Sequence, residues 1–314
     1  MAQMPLALVV HGGAWAIPDN QVDAHARGCL LAVERGYAVL REGRSALDAV
    51  EAAIRVMEDD PIFDAGVGSC LTLDGEVELD ASLMDGSDLN VGAVACVKHI
   101  ANPIRLARRV LQSPNVLLVG EGAERFAMQQ GMALCRNEDL VVERERALWL
   151  EFLQKQRMSQ NSASDTRHDT VGAVALDARG NIAAGLSTGG TPNKTPGRVG
   201  DVPLVGCGFY ADNRAGGVAC TGVGESIARM ALARRAMQAL EAGLLPQQAA
   251  DQAVQMLSER VAGSAGLIVL NGAGQVGFAY STKGMARAYL TEGMSQPYVA
   301  VDRTVWAAGS GEPS

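Results

Sequence analysis

The residues best placed to do chemistry lie in mid-chain, in His168-Asp169-Thr170-Val171-Gly172-Ala173-Val174-Ala175-Leu176-Asp177. A threonine opens an apolar strand there. The residues before it, from 159 to 167, read SQNSASDTR and include nothing apolar larger than Ala. Such a segment cannot bury enough apolar surface to offset its ordering entropy. A polar linker, about 159–169, that ends at a strand-opening Thr suggests a chain made to be cut between Asp169 and Thr170. The new amino-terminal Thr then serves as nucleophile, with its own α-amine as base. A Thr that merely begins a strand after a polar loop is the plainer alternative, and the downstream sequence has to separate the two.

Three downstream segments carry unusual content. Ser187-Thr188-Gly189-Gly190-Thr191-Pro192-Asn193-Lys194 places a hydroxyl at the end of the next strand, beside the start of the first, or else it is an ordinary turn. In Gly197-Arg198-Val199-Gly200-Asp201 the guanidinium fork suits a carboxylate and the Asp suits an ammonium. Together they could grip both charged groups of an α-amino acid; a surface Arg–Asp pair is the alternative. Cys220-Thr221-Gly222-Val223-Gly224-Glu225 lies between a strand and a helix. Its backbone N–H groups and Thr hydroxyl could form an oxyanion hole, or only an anion-binding or tight turn. It is not a phosphate-binding Walker loop, because no G-x-x-x-x-G-K-[ST] occurs.

The elements that position these residues follow from pattern. Residues 6–10 read as a buried strand running into a glycine turn at His11-Gly12-Gly13-Ala14-Trp15, and a helix is predicted over about 22–42. Ser45 caps the next helix, with Asp48 reaching back, and Leu47, Val50, Ile54 and Met57 form its apolar face. Asp64-Ala65-Gly66-Val67-Gly68 is a glycine-rich loop, residues 69–98 are short strands turning at Asp74-Gly75, and helices follow near 103–112, 121–131 and 143–158. After Thr170 comes a hairpin of 170–176 and 181–187 about Asp177–Gly180, then a long polar loop and a strand near 216–220. Helices are predicted near 225–242 and 246–261, and a second hairpin turns at Asn271–Gly274. Strands in runs and helices in pairs favour two face-to-face sheets with helices outside. The hairpins argue against a parallel doubly wound sheet.

Composition narrows the partners. The 314 residues are 48% hydrophobic but only 4% aromatic, with 36 glycines, which suits tight turns and close packing rather than an aromatic platform. A formal net charge of −8 argues against nucleic acid. The six cysteines form no C-x-x-C and read as buried small hydrophobes in a reducing compartment. The amino terminus lacks the pattern of a signal peptide, and no stretch is long enough to span a membrane, so a cytoplasmic location is expected.

The order D-T-V-G-A-V-A-L-D, S-T-G-G-x-x-N-K, G-R-V-G-D and C-T-G-x-G-E resembles the plant-type (class 3) L-asparaginase / isoaspartyl aminopeptidase family of amino-terminal-nucleophile hydrolases. The match continues in His11-Gly12-Gly13-Ala14, Ala65-Gly66-Val67-Gly68, Leu79–Gly86 and Gly263–Arg287, so it spans nearly the whole chain except the linker. The resemblance implies an α+β fold, the four-layer αββα sandwich of amino-terminal-nucleophile hydrolases. It also implies a precursor that cuts itself into an α subunit, 1–169, and a β subunit, 170–314, which stay together and assemble as (αβ)2. Thr170 falls at the nucleophile, Thr188 at the residue that orients it, and Arg198 and Asp201 at the α-carboxylate and α-amine sites. Thr221 and Gly222 fall at the oxyanion hole, with Gly224 beside the substrate. Catalysis needs no cofactor, but a structural Na⁺ is implied on main-chain carbonyls of Met57, Glu58, Asp60, Phe63, Ala65 and Val67, a donor set that suits a hard cation.

The implied substrates are L-asparagine and β-aspartyl dipeptides. The α-amine, with a reference pKa of about 7.7–8.0, is matched to neutral pH. The sequence departs from the family pattern in three places: Asp64 stands where Asn is usual, Asp169 where Gly is usual, and Thr191-Pro192 where Met-Thr is commoner. His-Asp-Thr and Trp15 resemble instead the glycosylasparaginase branch of the superfamily. Hydrolysis of GlcNAc-asparagine is therefore one alternative. An uncut, non-catalytic scaffold is another.

Overall fold

A computed structural model describes residues 4–157 and 169–302. The linker predicted at about 159–169 lies outside the described residues except for Asp169. Twelve strands and eight α-helices are described, in the order β1 (Ala7–Trp15), α1 (Asp19–Arg41), α2 (Ala46–Glu58), β2 (Leu79–Asp85), β3 (Val91–Val97), α3 (Pro103–Leu111), β4 (Leu117–Val119), α4 (Gly120–Gln129), α5 (Glu143–Arg157), β5 (Val171–Leu176), β6 (Ile182–Thr188), β7 (Phe209–Asp212), β8 (Gly216–Gly222), α6 (Gly224–Met230), α7 (Leu232–Glu241), α8 (Pro246–Val261), β9 (Ala265–Asn271), β10 (Val276–Tyr280), β11 (Gly284–Thr291) and β12 (Tyr298–Ala300).

Eight strands form one sheet in the order β12-β11-β1-β5-β6-β2-β3-β4, and four form a second in the order β10-β9-β8-β7. Pairing is antiparallel except between β3 and β4. Side chains alternate across each strand with a period of two, and this sorts the core into layers. Leu8, Val10, Val171 and Ala173 pack outward against Val33 of α1 and Val50 and Ile54 of α2. Val9, Val174 and Leu186 face the other way, onto Ala219, Ile268 and Leu270 of the second sheet. Val218, Leu267 and Val269 then meet Leu232, Met237 and Leu257 of α7 and α8 on the far side. The result is the αββα sandwich. Each fully buried Leu, Ile or Val contributes roughly 1.5–3 kcal/mol.

Several local expectations are corrected. His11–Trp15 is not a turn: β1 runs through it, with a register shift against β11 between His11 and Ala14. Ser45 does cap α2, accepting from Asp48 N at 3.2 Å, but the Asp48 carboxylate turns instead to Arg108 at 3.3 Å and Arg44 at 3.5 Å. The helix expected over 225–242 is two helices, broken at Ala231 in the left-handed region with φ 47°. There the carbonyls of Cys207 and Gly206 accept from Ala233 N and Arg234 N, so the loop before β7 caps α7.

Candidate active site

Hairpin register decides the first contact. Val171 pairs with Ser187 across β5 and β6, so the preceding residue, Thr170, lies beside Thr188. Thr170 Oγ1 donates to Thr188 Oγ1 at 3.3 Å, and Thr188 Oγ1 also accepts from Gly190 N at 2.9 Å. Both threonines are buried. The hydroxyl expected to be the nucleophile therefore meets the hydroxyl expected to orient it.

Strand β1 links this pair to the second sheet. A Cβ on Gly13, whose φ is +95°, would lie 2.1 Å from Asp169 Oδ1 and 2.8 Å from Asp169 Cα, so no side chain fits there. One residue on, Ala14 N donates to Thr221 Oγ1 at 3.2 Å. Thr221 and Gly222 end β8, and Thr221 so meets β1 one residue beyond the glycine that abuts Asp169.

The charged pair expected to grip substrate is close but not mutually bonded. Arg198 gives Nε and Nη2 to Glu225, each at 2.8 Å, while Nη1 faces Gly190 and Gly200. The simple Arg198–Asp201 pair is thus replaced by Arg198–Glu225. A Cβ on Gly224 would stand 3.0 Å from both Arg198 Nη2 and Asp201 Oδ1, so Gly224 lets the two charges converge at the start of α6. Asp201 is only 4% exposed, and its Oδ2 has no hydrogen-bond partner among the described residues. Burial pushes its carboxyl up to about 7, against the pull of its own backbone N–H and of Arg198. A buried acceptor left in this state fits an incoming ammonium.

Asp64, the departure from the family Asn, is buried rather than solvent-facing. Its Oδ1 accepts from Cys70 N at 2.8 Å and its backbone carbonyl accepts from Gly189 N at 2.8 Å, so it ties its loop to the turn after Thr188. Burial raises its carboxyl to about 7, and the charges of Glu145 and Asp169 add to the effect. With Trp15, Cys70, Arg144 and Asp169 it lines a cavity of about 20 Å³, room for roughly one water.

Met57 and Glu58 finish α2, and Asp60, Phe63, Ala65 and Val67 lie in the turns that follow. Phe63 N donates to Asp60 O at 3.2 Å and Val67 N to Glu58 O at 2.9 Å, closing the loop through main-chain carbonyls. Oxygen donors of this kind would suit a hard cation. No cluster of acidic, His or Cys side chains suited to a metal occurs among the described residues. The Glu58 side chain does other work: its Oε1 accepts from Ser187 Oγ at 2.7 Å and Ile104 N at 3.0 Å, and burial raises it to about 8.

Three residues around the site have contacts to which the sequence assigned no role. His25 Nε2 lies 3.1 Å from Asp169 Oδ2. Burial alone would lower its pKa, but the Asp169 charge and hydrogen bond leave it raised. Glu225 is the Arg198 partner. Lys194, 4% exposed, donates to Glu78 O at 2.8 Å under the Gly190 turn. The signal for His25 was a polar residue on the face of α1 that also buries Ala26, Cys29 and Val33.

Known proteins match this chain along nearly its whole length. A profile of the family described as Asparaginase matches residues 4–300. The isoaspartyl peptidase/L-asparaginase of Xenopus laevis is 45% identical over 286 residues, covering 91% of this chain and 92% of that protein. The human protein of that name is 46% identical over 271 residues, covering 86% and 88%. A plant-type L-asparaginase of Pyrococcus abyssi is 41% identical over 310 residues, covering 94% of this chain and all of its own length. With a match over nearly its whole length and hydrolase relatives above 40% identity, this chain belongs to the Asparaginase family.

Proposed function

We propose that the chain is a threonine amidohydrolase that matures by cutting its own Asp169–Thr170 bond and then hydrolyses the side-chain amide of L-asparagine and of β-aspartyl dipeptides. The observation that carries this reading is the Thr170 Oγ1–Thr188 Oγ1 contact of 3.3 Å at the foot of β5. In maturation, Thr170 Oγ bonds to the Asp169 carbonyl carbon and the peptide C–N bond breaks. The hydroxyl proton ends on the Thr170 nitrogen, and water then hydrolyses the ester. In turnover the freed α-amine takes the Thr170 proton and Oγ attacks the substrate amide carbon. Thr221, its oxygen already accepting from Ala14, offers its hydroxyl hydrogen to the oxyanion, with Gly222 beside it. Ammonia or an amino acid leaves with the proton, and water releases aspartate. Arg198, through its Nη1 edge, takes the substrate α-carboxylate, and Asp201 takes the α-ammonium. Gly224 keeps the grip open. The leaving group lies outside that grip, so one site serves both substrate types.

The same reading assigns a structural Na⁺ to the carbonyls of residues 57–67 and an (αβ)2 assembly. No described helix is long and apolar enough to cross a membrane. The test is product release from β-aspartyl-leucine, L-asparagine and GlcNAc-asparagine, with light scattering for the assembled mass. Leucine and ammonia should appear with wild type, and neither with Thr170→Ala. The assembly should weigh twice one chain. Faster hydrolysis of GlcNAc-asparagine would favour a glycosylasparaginase instead, and Thr170→Ala that retains turnover would overturn the nucleophile.

A further inference from the structure

One buried contact has no part in turnover. His25 Nε2 meets Asp169 Oδ2 at 3.1 Å, with side-chain exposures of 0% and 5%. His25 Nδ1 also engages Gln21 O at 3.0 Å, which fixes the ring against its own helix. The rings of Phe63 and Trp15 stand edge-on to it, at centroid distances of 5.4 and 6.1 Å. From the opposite side Gly13 closes on Asp169, leaving no room for a Cβ. Asp169 is thus clamped between α1 and the end of β1. It supplies the acyl carbon of the bond to be cut, and after the cut it has no step left to perform. A buried charged pair is costly to keep unless something depends on its geometry. What depends on it here is the placement of the Asp169 carbonyl.

We propose that His25 is a positioning residue for self-cleavage. Its contact with Asp169 Oδ2 fixes the backbone of residue 169 so that Thr170 Oγ1, held by Thr188, faces the Asp169 carbonyl carbon. The inference rests on the assignment of Thr170 as nucleophile. His25 takes no proton in the step: Oγ–C forms, C–N breaks, and the proton passes to the Thr170 nitrogen. Its contribution is orientation, and a misplacement of about 1 Å in such a step costs roughly 100-fold in rate.

A double-mutant cycle on the rate of self-cleavage tests this, read as the loss of full-length chain on denaturing gels. His25→Ala should slow cleavage about 10- to 100-fold when Asp169 is present. In an Asp169→Gly background the same substitution should change the rate less than about 3-fold, because the group it positions is gone. Protein allowed to mature fully should turn over β-aspartyl-leucine at the wild-type rate per cut chain. Equal slowing in both backgrounds, or a matching loss of mature turnover, would overturn the proposal. If His25→Ala does not fold, His25→Leu and His25→Gln replace it: Gln keeps a donor and should cleave faster than Leu, and equal rates would overturn the proposal. Wild-type protein that never cuts would defeat the Thr170 assignment itself, a distinct outcome.

Discussion

At the scale of single residues, Asp201 sets desolvation against function. It is buried with one oxygen unpaired, and its carboxyl is pushed up to about 7 from an unfolded value near 3.9. A raised folded pKa means that the stability it brings is present below about pH 4 and lost as pH rises through about 7. Asp201→Asn removes that loss. The variant should therefore gain stability over wild type at pH 8, of the order of 2–4 kcal/mol, and little at pH 4.5, while losing turnover. Urea denaturation at the two pH values reads the difference; an equal shift at both would show that the carboxyl is not held neutral by burial. The sequence made Thr170 and Thr188 legible as neighbours, because a hairpin turning at Asp177–Gly180 counts back to that pair. It did not reveal His25, since a histidine on a buried helix face has many structural uses and only the fold shows that it meets Asp169, 144 positions away.

At the scale of elements, local pattern located most strands and helices and failed where tertiary contacts override it. Residues 225–242 have good helix propensity throughout, yet the carbonyls of Gly206 and Cys207 cap a new helix at Leu232 and force the break at Ala231. The glycines of His11–Trp15 suggested a turn, but they serve close approach within a continuing strand. The loop from Met57 to Val67 is the element whose proposed cation is most open to measurement. Its carbonyls at Glu58 and Asp60 are turned into the loop by the Val67 and Phe63 amides. If Na⁺ binds there, melting in NaCl should occur at higher temperature than in choline chloride of equal ionic strength. The gain is about 2.7 kcal/mol at a concentration 100 times the Kd. Superimposable melts would remove the cation from the loop.

At the scale of the whole molecule, the sheet order explains how a chain can be cut in its centre and keep its shape. In β12-β11-β1-β5-β6-β2-β3-β4, strands from before and after Thr170 are interleaved, with β1 between β11 and β5 and β2 beside β6. β1 pairs with β5 and β11, and β6 pairs with β2, so backbone ladders tie residues 4–157 to residues 170–302. Cutting one peptide bond at the foot of β5 breaks none of these ladders. Freeing Thr170 would require only that Asp169 move from between Gly13 and His25. The measurement that tests this most directly is the intact mass of purified wild-type protein under denaturing conditions, beside Thr170→Ala. Two masses should appear for wild type, those of residues 1–169 and 170–314, from material that elutes as one species under native conditions, and a single full-length mass for the variant. A wild-type chain that stays full-length while hydrolysing β-aspartyl peptides would contradict the account.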